Sequence, residues 1–222
     1  NVNIALRESA DWWNVRIDAL SGEFISKNNW TVSCDPGSGY SRNGYATISG
    51  PGILSDQFGA GTSSYNVFAL PVEAPNFGQR SLVSDPGSAI ASPFGWHDTD
   101  GADGADYTIT RGNNVYAYED RDNADVPGYS PDGGANLQFD FPLDLTQDPE
   151  VNQDAIITNL FYINNMMHDI LYLHGFDEEA GNFQENNYGM GGMEVDQVLA
   201  EAQDGGGTSN ANFSTPEDGF NG

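Results

Sequence analysis

Acids and glycines are interleaved in the run Asp98-Thr99-Asp100-Gly101-Ala102-Asp103-Gly104-Ala105-Asp106, where the carboxylates recur two and three residues apart. A calcium ion takes about six to eight hard oxygens from a flexible loop, and glycines let the chain bend around it. Asp98, Asp100, Asp103 and Asp106 are therefore expected as calcium ligands, the alternative being an acidic loop that is simply solvated. The spacing is not that of an EF-hand, which ends on a Glu. A second acidic loop, Glu119-Asp120-Arg121-Asp122-Asn123-Ala124-Asp125, carries the same two readings.

Zinc would need nitrogen or sulfur ligands converging on one point. The chain has three His and one Cys. His168 and His174 are six residues apart, which turns them about 120° from each other on a helix. Such a pair cannot share a metal as residues one turn apart can, and His-Glu-x-x-His occurs nowhere. His97 stands alone on a loop. None of the three is expected to ligate zinc; His168 should hydrogen-bond within the core and His174 should cap a helix. Nucleophilic chemistry has no better support. No Ser sits in a Gly-x-Ser-x-Gly turn. Cys34 lacks a neighbouring His or Arg and reads as a small buried residue. Gly205-Gly206-Gly207-Thr208 lacks the Lys of a phosphate loop and follows Asp204.

The elements that would position these groups are short strands, loops and one helix. Trp13-Asn14-Val15-Arg16-Ile17-Asp18 alternates at period two, as a half-buried strand does. A turn at Ala19-Leu20-Ser21-Gly22-Glu23 leads to a second strand from Phe24 to about Asn29, and Trp30 and Val32 alternate again. Residues 35–66 are rich in Gly and Ser and read as a linker or exposed processing region. Residues 67–146 are punctuated by Pro and Gly and read as irregular β-structure, with apolar runs at Val67-Phe68-Ala69-Leu70 and Val115-Tyr116-Ala117-Tyr118. Then Ile156, Ile157, Leu160, Ile163, Met167, Ile170, Leu171 and Leu173 recur at three and four residues. That period predicts one long helix over about 150–174, buried on most sides. Asp148-Pro149-Glu150 marks its start and His174-Gly175 its stop. After Gly181 only Val195–Ala200 breaks a run of Asn- and Gly-rich loops. The predicted class is α+β, rich in strands and loops.

Composition narrows the function. The 222 residues carry 33 acids against one Lys and six Arg, a formal net charge of -26. Such a chain has too few cations to displace counterions from nucleic acid, and an anionic membrane would repel it. No apolar run is long enough to span a bilayer, and no leader opens the chain, so a mature or clipped product is expected. With 38% hydrophobic residues and 12 Phe, 10 Tyr and 4 Trp it can build a core. Its single Cys forms no intrachain disulfide, and scarce Lys with abundant Asp, Asn and Gly suggests an extracellular setting.

Several blocks of this sequence resemble the fungalysin family of secreted, thermolysin-like zinc metalloendopeptidases. Thr110-Arg111-Gly112-Asn113-Asn114-Val115-Tyr116-Ala117-Tyr118-Glu119-Asp120 resembles that family's signature loop. Asn159-Leu160-Phe161-Tyr162-Ile163-Asn164-Asn165-Met166-Met167-His168-Asp169 looks like its long central helix. Ala180-Gly181-Asn182-Phe183-Gln184-Glu185-Asn186-Asn187, Ala202-Gln203-Asp204-Gly205 and Asn210-Ala211-Asn212-Phe213-Ser214-Thr215-Pro216 follow in the family's order. Residues 12–23 resemble the closing hairpin of its inhibitory propeptide.

The resemblance implies three regions: 1–34 as the end of a propeptide-like hairpin, 35–66 as the linker, and 67–222 as the N-terminal part of the protease domain. It also implies peptide-bond hydrolysis by a zinc-activated water. The zinc ligands of the family lie in a motif absent here, so this chain should be inactive without a C-terminal half that carries the zinc. Asn210, Ala211 and Asn212 are expected to contact a protein or peptide substrate through an edge strand. Two other readings stay open. One is a non-catalytic matrix or assembly protein derived from such a protease, self-associating through calcium bridges. The other is inhibition of a protease by residues 1–34.

Overall fold

Strands form in this computed structural model where apolar and polar residues alternate, and a single long helix forms where the period lengthens. The structure describes residues 2–5, 12–17, 21–22, 24–29, 63–207 and 211–222. It divides into two units, Asn1–Ile48 and Ser49–Gly222. In the first, β1 (Val2–Ala5), β2 (Trp12–Ile17) and β3 (Phe24–Asn29) pair antiparallel in sequence order. Gly22 supplies the left-handed turn before β3, with φ +73°. The expectations for Trp30, Val32, Cys34 and the stretch 35–62 fall outside the described residues.

In the second unit, β4 (Ser64–Val67) buries Tyr65 and Val67 and leaves Ser64 and Asn66 partly exposed. It begins inside the segment expected to be a linker. β4 runs antiparallel to β5 (Ser81–Ser84) and parallel to the short β7 (Gln138–Phe139). β6 (Val115–Glu119) pairs in parallel with β8 (Val198–Ala202); β6 takes in the apolar run at 115–118, and β8 begins within the one at 195–200. Parallel partners need a crossover, and the connection from β6 to β8 includes helix α1 (Gln153–Tyr172). Mixed strands around one long helix place the fold in the α+β class.

The start of α1 is tighter than expected. Asp148 and Pro149 open a 3₁₀ turn, Pro149–Asn152, and the α-helix begins only at Gln153. Asn152 holds that turn to the preceding loop: its amide donates to the Asp144 carbonyl at 2.9 Å, and its Oδ1 accepts from the Asp144 N–H at 2.8 Å. At the other end Phe176 N–H reaches back to the Leu171 carbonyl at 3.0 Å, and the chain turns at Gly175 with φ +92°. His174 is exposed and lies past the last helical residue.

Burial along α1 corrects the expectation that it is enclosed on most sides. The buried positions are Ala155, Ile157, Thr158, Phe161, Tyr162, Asn165 and Asp169. Ile156, Leu160, Ile163 and Met166 pack partly against the same core. Met167, Ile170, Leu171 and Leu173 are exposed, at 36% to 56%. Besides Thr158, the helix turns Asn165 and Asp169 inward, where fixed hydrogen-bond partners engage them. The apolar residues of its last turns therefore face outward.

The core joins Tyr65 and Val67 of β4, Phe139 of β7, Trp96 from a loop, Ile157, Phe161 and Tyr162 of α1, and Val115, Ala117, Ala200 and Ala202 of β6 and β8. The small alanines of β6 and β8 let α1 approach that sheet closely. No helix among the described residues is long and apolar enough to cross a membrane.

Candidate functional site

Residues 110–120 build a junction of the scaffold. Gly112 is required there by space: a Cβ at this position would lie 1.5 Å from the Trp96 carbonyl oxygen. Asn113 donates its main-chain N–H to that same carbonyl at 3.1 Å. Its side chain takes both main-chain groups of Asn186, accepting from N–H at 2.8 Å and donating to C=O at 2.9 Å. Asn114 donates to Asn165 Oδ1 at 3.1 Å and to Ser92 Oγ at 3.0 Å, tying β6 to α1. The Arg111 guanidinium stacks over the rings of Tyr107 and Tyr116, at 4.3 and 4.9 Å.

Asp169 is the hub on the helix side. It is 3% exposed and accepts from Ser88 N–H at 2.8 Å, Ser92 Oγ at 2.7 Å and Trp96 Nε1 at 3.1 Å. His168 Nδ1 donates to the same carboxylate at 3.1 Å, and His168 Nε2 accepts from Asn182 Nδ2 at 3.3 Å. The expected core hydrogen bonding of His168 is thus observed. His97 lies on a loop, as expected, but its ring is buried against the core. Its ring lies parallel to that of Phe139, with centroids 5.3 Å apart, and touches Phe161. Nδ1 donates to the Arg111 carbonyl at 3.0 Å, so Nε2 is the acceptor for the Tyr65 hydroxyl at 2.8 Å. Burial pulls the His97 pKa from 6.5 down to about 4, against the opposing pull of the Arg111 and Ile109 carbonyls. Burial likewise raises the Tyr65 phenol.

Zinc does not fit these histidines. Both ring nitrogens of His97 and of His168 are engaged by fixed protein partners. The two groups of three convergent acids among the described residues contain no histidine. What converges is oxygen. Asp98, Asp100 and Asp106 each bring a carboxylate oxygen within 4.8 Å of the others. Asp103 is exposed and lies outside that triangle, carried away between the left-handed turns at Gly101 and Gly104. Burial raises the Asp98 pKa, helped by the charges of Asp106 and Asp100, while the Gly101 N–H and Tyr188 hydroxyl pull it down. The second acidic loop supplies Asp120 and Asp125, joined by Glu201 from β8. Both Asp120 oxygens accept backbone N–H groups, from Ala124 and Asp125, and Glu201 accepts from the Tyr118 hydroxyl at 3.0 Å. The sequence reading missed Tyr188 and Glu201, because each lies more than eighty residues from Asp98 or Tyr118, its respective partner.

A cleft of about 380 Å³ runs between Leu160 and Asn164 of α1, Val198–Glu201 of β8, and Ala211, Asn212 and Phe213. Ala211 and Asn212, two of the three expected substrate contacts, line it; Asn210 lies outside the described residues. Residues 211–216 form no strand, which corrects the expectation of an edge strand there. The strand bordering the cleft is β8, whose pairing partner is β6 and whose Leu199 N–H donates to the Gly222 carbonyl at 3.0 Å.

The sequence model of a family described as Fungalysin metallopeptidase (M36) matches residues 64–222. A protein named Probable extracellular metalloproteinase 2, from Arthroderma benhamiae, is 44% identical over 165 residues, covering 72% of this chain and 26% of the relative. Extracellular metalloproteinase 2 of Trichophyton tonsurans is 45% identical over 168 residues, again 72% of this chain and 26% of its own length. Extracellular metalloproteinase 5 of the same organism is 43% identical over 159 residues, 71% of this chain and 26% of the relative. The matched part of the chain thus spans about a quarter of each of these relatives.

Proposed function

We propose, from the premise that this chain belongs to the fungalysin metallopeptidase family, that it forms part of a secreted metalloendopeptidase that hydrolyses peptide bonds of extracellular proteins. The family match across residues 64–222 carries this reading. The cleft supports it. An extended peptide laid beside β8 would meet main-chain hydrogen-bonding groups on one wall and the short side chains of Ala211 and Asn212 on the other. Such binding reads the backbone of a substrate more than its side chains, which suits an endopeptidase.

The metal of hydrolysis would be zinc, held by another part of the parent protein; both ring nitrogens of His97 and of His168 already have protein partners, and the groups of convergent acids among the described residues include no histidine, which supports this. That other part is the partner this chain needs for activity. Calcium would serve the acidic loop at residues 98–106 as a structural ion. Neither nucleic acid nor an anionic membrane suits a surface with a net charge of -26.

The isolated chain, supplied with zinc, is expected to give no chelator-sensitive turnover of casein. The full-length parent should hydrolyse casein and lose that activity to a zinc chelator. Within the parent, Asn212→Ala should lower kcat/KM roughly tenfold, the loss of about one hydrogen bond to the bound chain. Asn212 is exposed, so the fold should be unaffected. A parent without peptidase activity, or turnover by the isolated chain, would overturn the proposal.

A further inference from the structure

The triangle of Asp98, Asp100 and Asp106 is an incomplete arrangement of charge. Three carboxylate oxygens lie within 4.8 Å of one another, and no ion pair among the described residues reaches any of them. Arg111, on the following loop, is engaged by the rings of Tyr107 and Tyr116. Asp98 is 1% exposed. Its Oδ1 accepts from the Gly101 N–H at 2.8 Å and the Tyr188 hydroxyl at 3.2 Å. Its Oδ2 is buried with no hydrogen-bond partner. A buried carboxylate oxygen left unpaired beside two further carboxylates is costly unless a cation compensates it.

We propose that Asp98, Asp100 and Asp106 hold a calcium ion. Oxygens 4.8 Å apart or less can share one ion whose bonds are about 2.3–2.6 Å long. The donors are all hard oxygens, and the loop between them bends at two glycines, which suits the loose shell of calcium better than the strict octahedron of magnesium. The contrast with Asp120, Asp125 and Glu201 is informative. Carboxylates of both groups accept protein donors, Asp100 from the Ala102 N–H and Asp106 from Thr99 in the first, Asp120 and Glu201 in the second, but only Asp98 is left with a buried unpaired oxygen.

Bound calcium would also act beyond its own loop. Asp98 meets Tyr188, and Asn186 Nδ2 donates to the Thr99 carbonyl at 2.9 Å. Asn186 is in turn gripped by Asn113. The ion would therefore lock residues 98–106 onto residues 186–188 and onto the start of β6. This role is independent of peptide hydrolysis.

The test is calcium titration of the full chain by calorimetry, with terbium as a luminescent probe excited through Tyr188. One saturable site with a dissociation constant of about 10⁻⁴–10⁻³ M is expected, the range of extracellular calcium modules. Asp98→Asn and Asp106→Asn should abolish saturable binding and terbium luminescence, while Asp103→Asn should keep both. The thermal midpoint adds a readout of opposite sign. In chelator Asp98→Asn should melt no lower than the unsubstituted chain, because an unpaired charge is gone; with calcium it should melt lower. Should Asp98→Asn not fold, Asp100→Asn at an exposed position gives the same reading. Absence of saturable binding, unchanged affinity in the folded variants, or loss of binding in Asp103→Asn would overturn the site.

Discussion

Asp169→Ala should lower the free energy of unfolding by about 3–5 kcal/mol, read as a shift of the urea midpoint with the slope unchanged. The substitution strands three donors at once: the buried Ser92 Oγ and Trp96 Nε1 and the part-buried Ser88 N–H. Each unsatisfied donor costs about 1–3 kcal/mol, and water entering the space left behind recovers part of that. His168 Nδ1 also loses its acceptor. Asp169→Asn keeps one oxygen and should cost less, about 1–2 kcal/mol. The damage should extend beyond α1, because the loop carrying Trp96 is held by this carboxylate and Trp96 belongs to the core. A loss below about 1 kcal/mol would mean that the donors find other partners and that Asp169 is no hub.

Stability should also fall by about 3 kcal/mol between pH 6.5 and pH 4 on account of His97 alone. Its pKa is about 4 in the folded chain and 6.5 when unfolded, because the core admits the neutral ring and resists the cation. As pH falls below 6.5 the unfolded chain takes up a proton that the folded chain refuses. The unfolded state binds more protons throughout this window, so stability is fully present above pH 6.5 and drains away as pH approaches 4. Burial raises the carboxyl groups of Asp98, Asp196 and Glu201, and these act with the opposite sign. The measurement is therefore a difference: unfolding free energy against pH in chelator, for the chain and for His97→Gln. The variant should be less stable at pH 7, having lost the ring stacked on Phe139, but it should lose this component of the slope. Equal slopes in the two proteins would rule out a buried neutral imidazole as the cause.

Local regularities were readable. Alternation at 13–18 became β2, the apolar run at 115–118 became β6, the one at 195–200 ends within β8, and the three-and-four period became α1. The reading failed where partners from distant parts of the chain decide burial. Met167, Ile170, Leu171 and Leu173 follow a core period but face outward, because Asn165 and Asp169 are the residues matched to donors across the fold. His97 is on a loop as read, but its burial was missed because nothing near it in sequence announces the Tyr65 hydroxyl or the Phe139 ring. The 98–106 run announced oxygen ligands in sequence. Which of its four aspartates converge depended on two glycine turns, and Tyr188 arrives from ninety residues away.

By itself, then, the sequence determined composition-level and short-range properties: a chain of net charge -26, the strand and helix segments written in their side-chain periods, and the blocks that mark its family. Only the tertiary structure decided which polar residues are buried, which carboxylates face one another, and that Ala211 and Asn212 share a cleft with α1 and β8. The reason is physical. Secondary structure follows from neighbours a few bonds apart, whereas burial and charge balance depend on contacts between segments that only folding brings together.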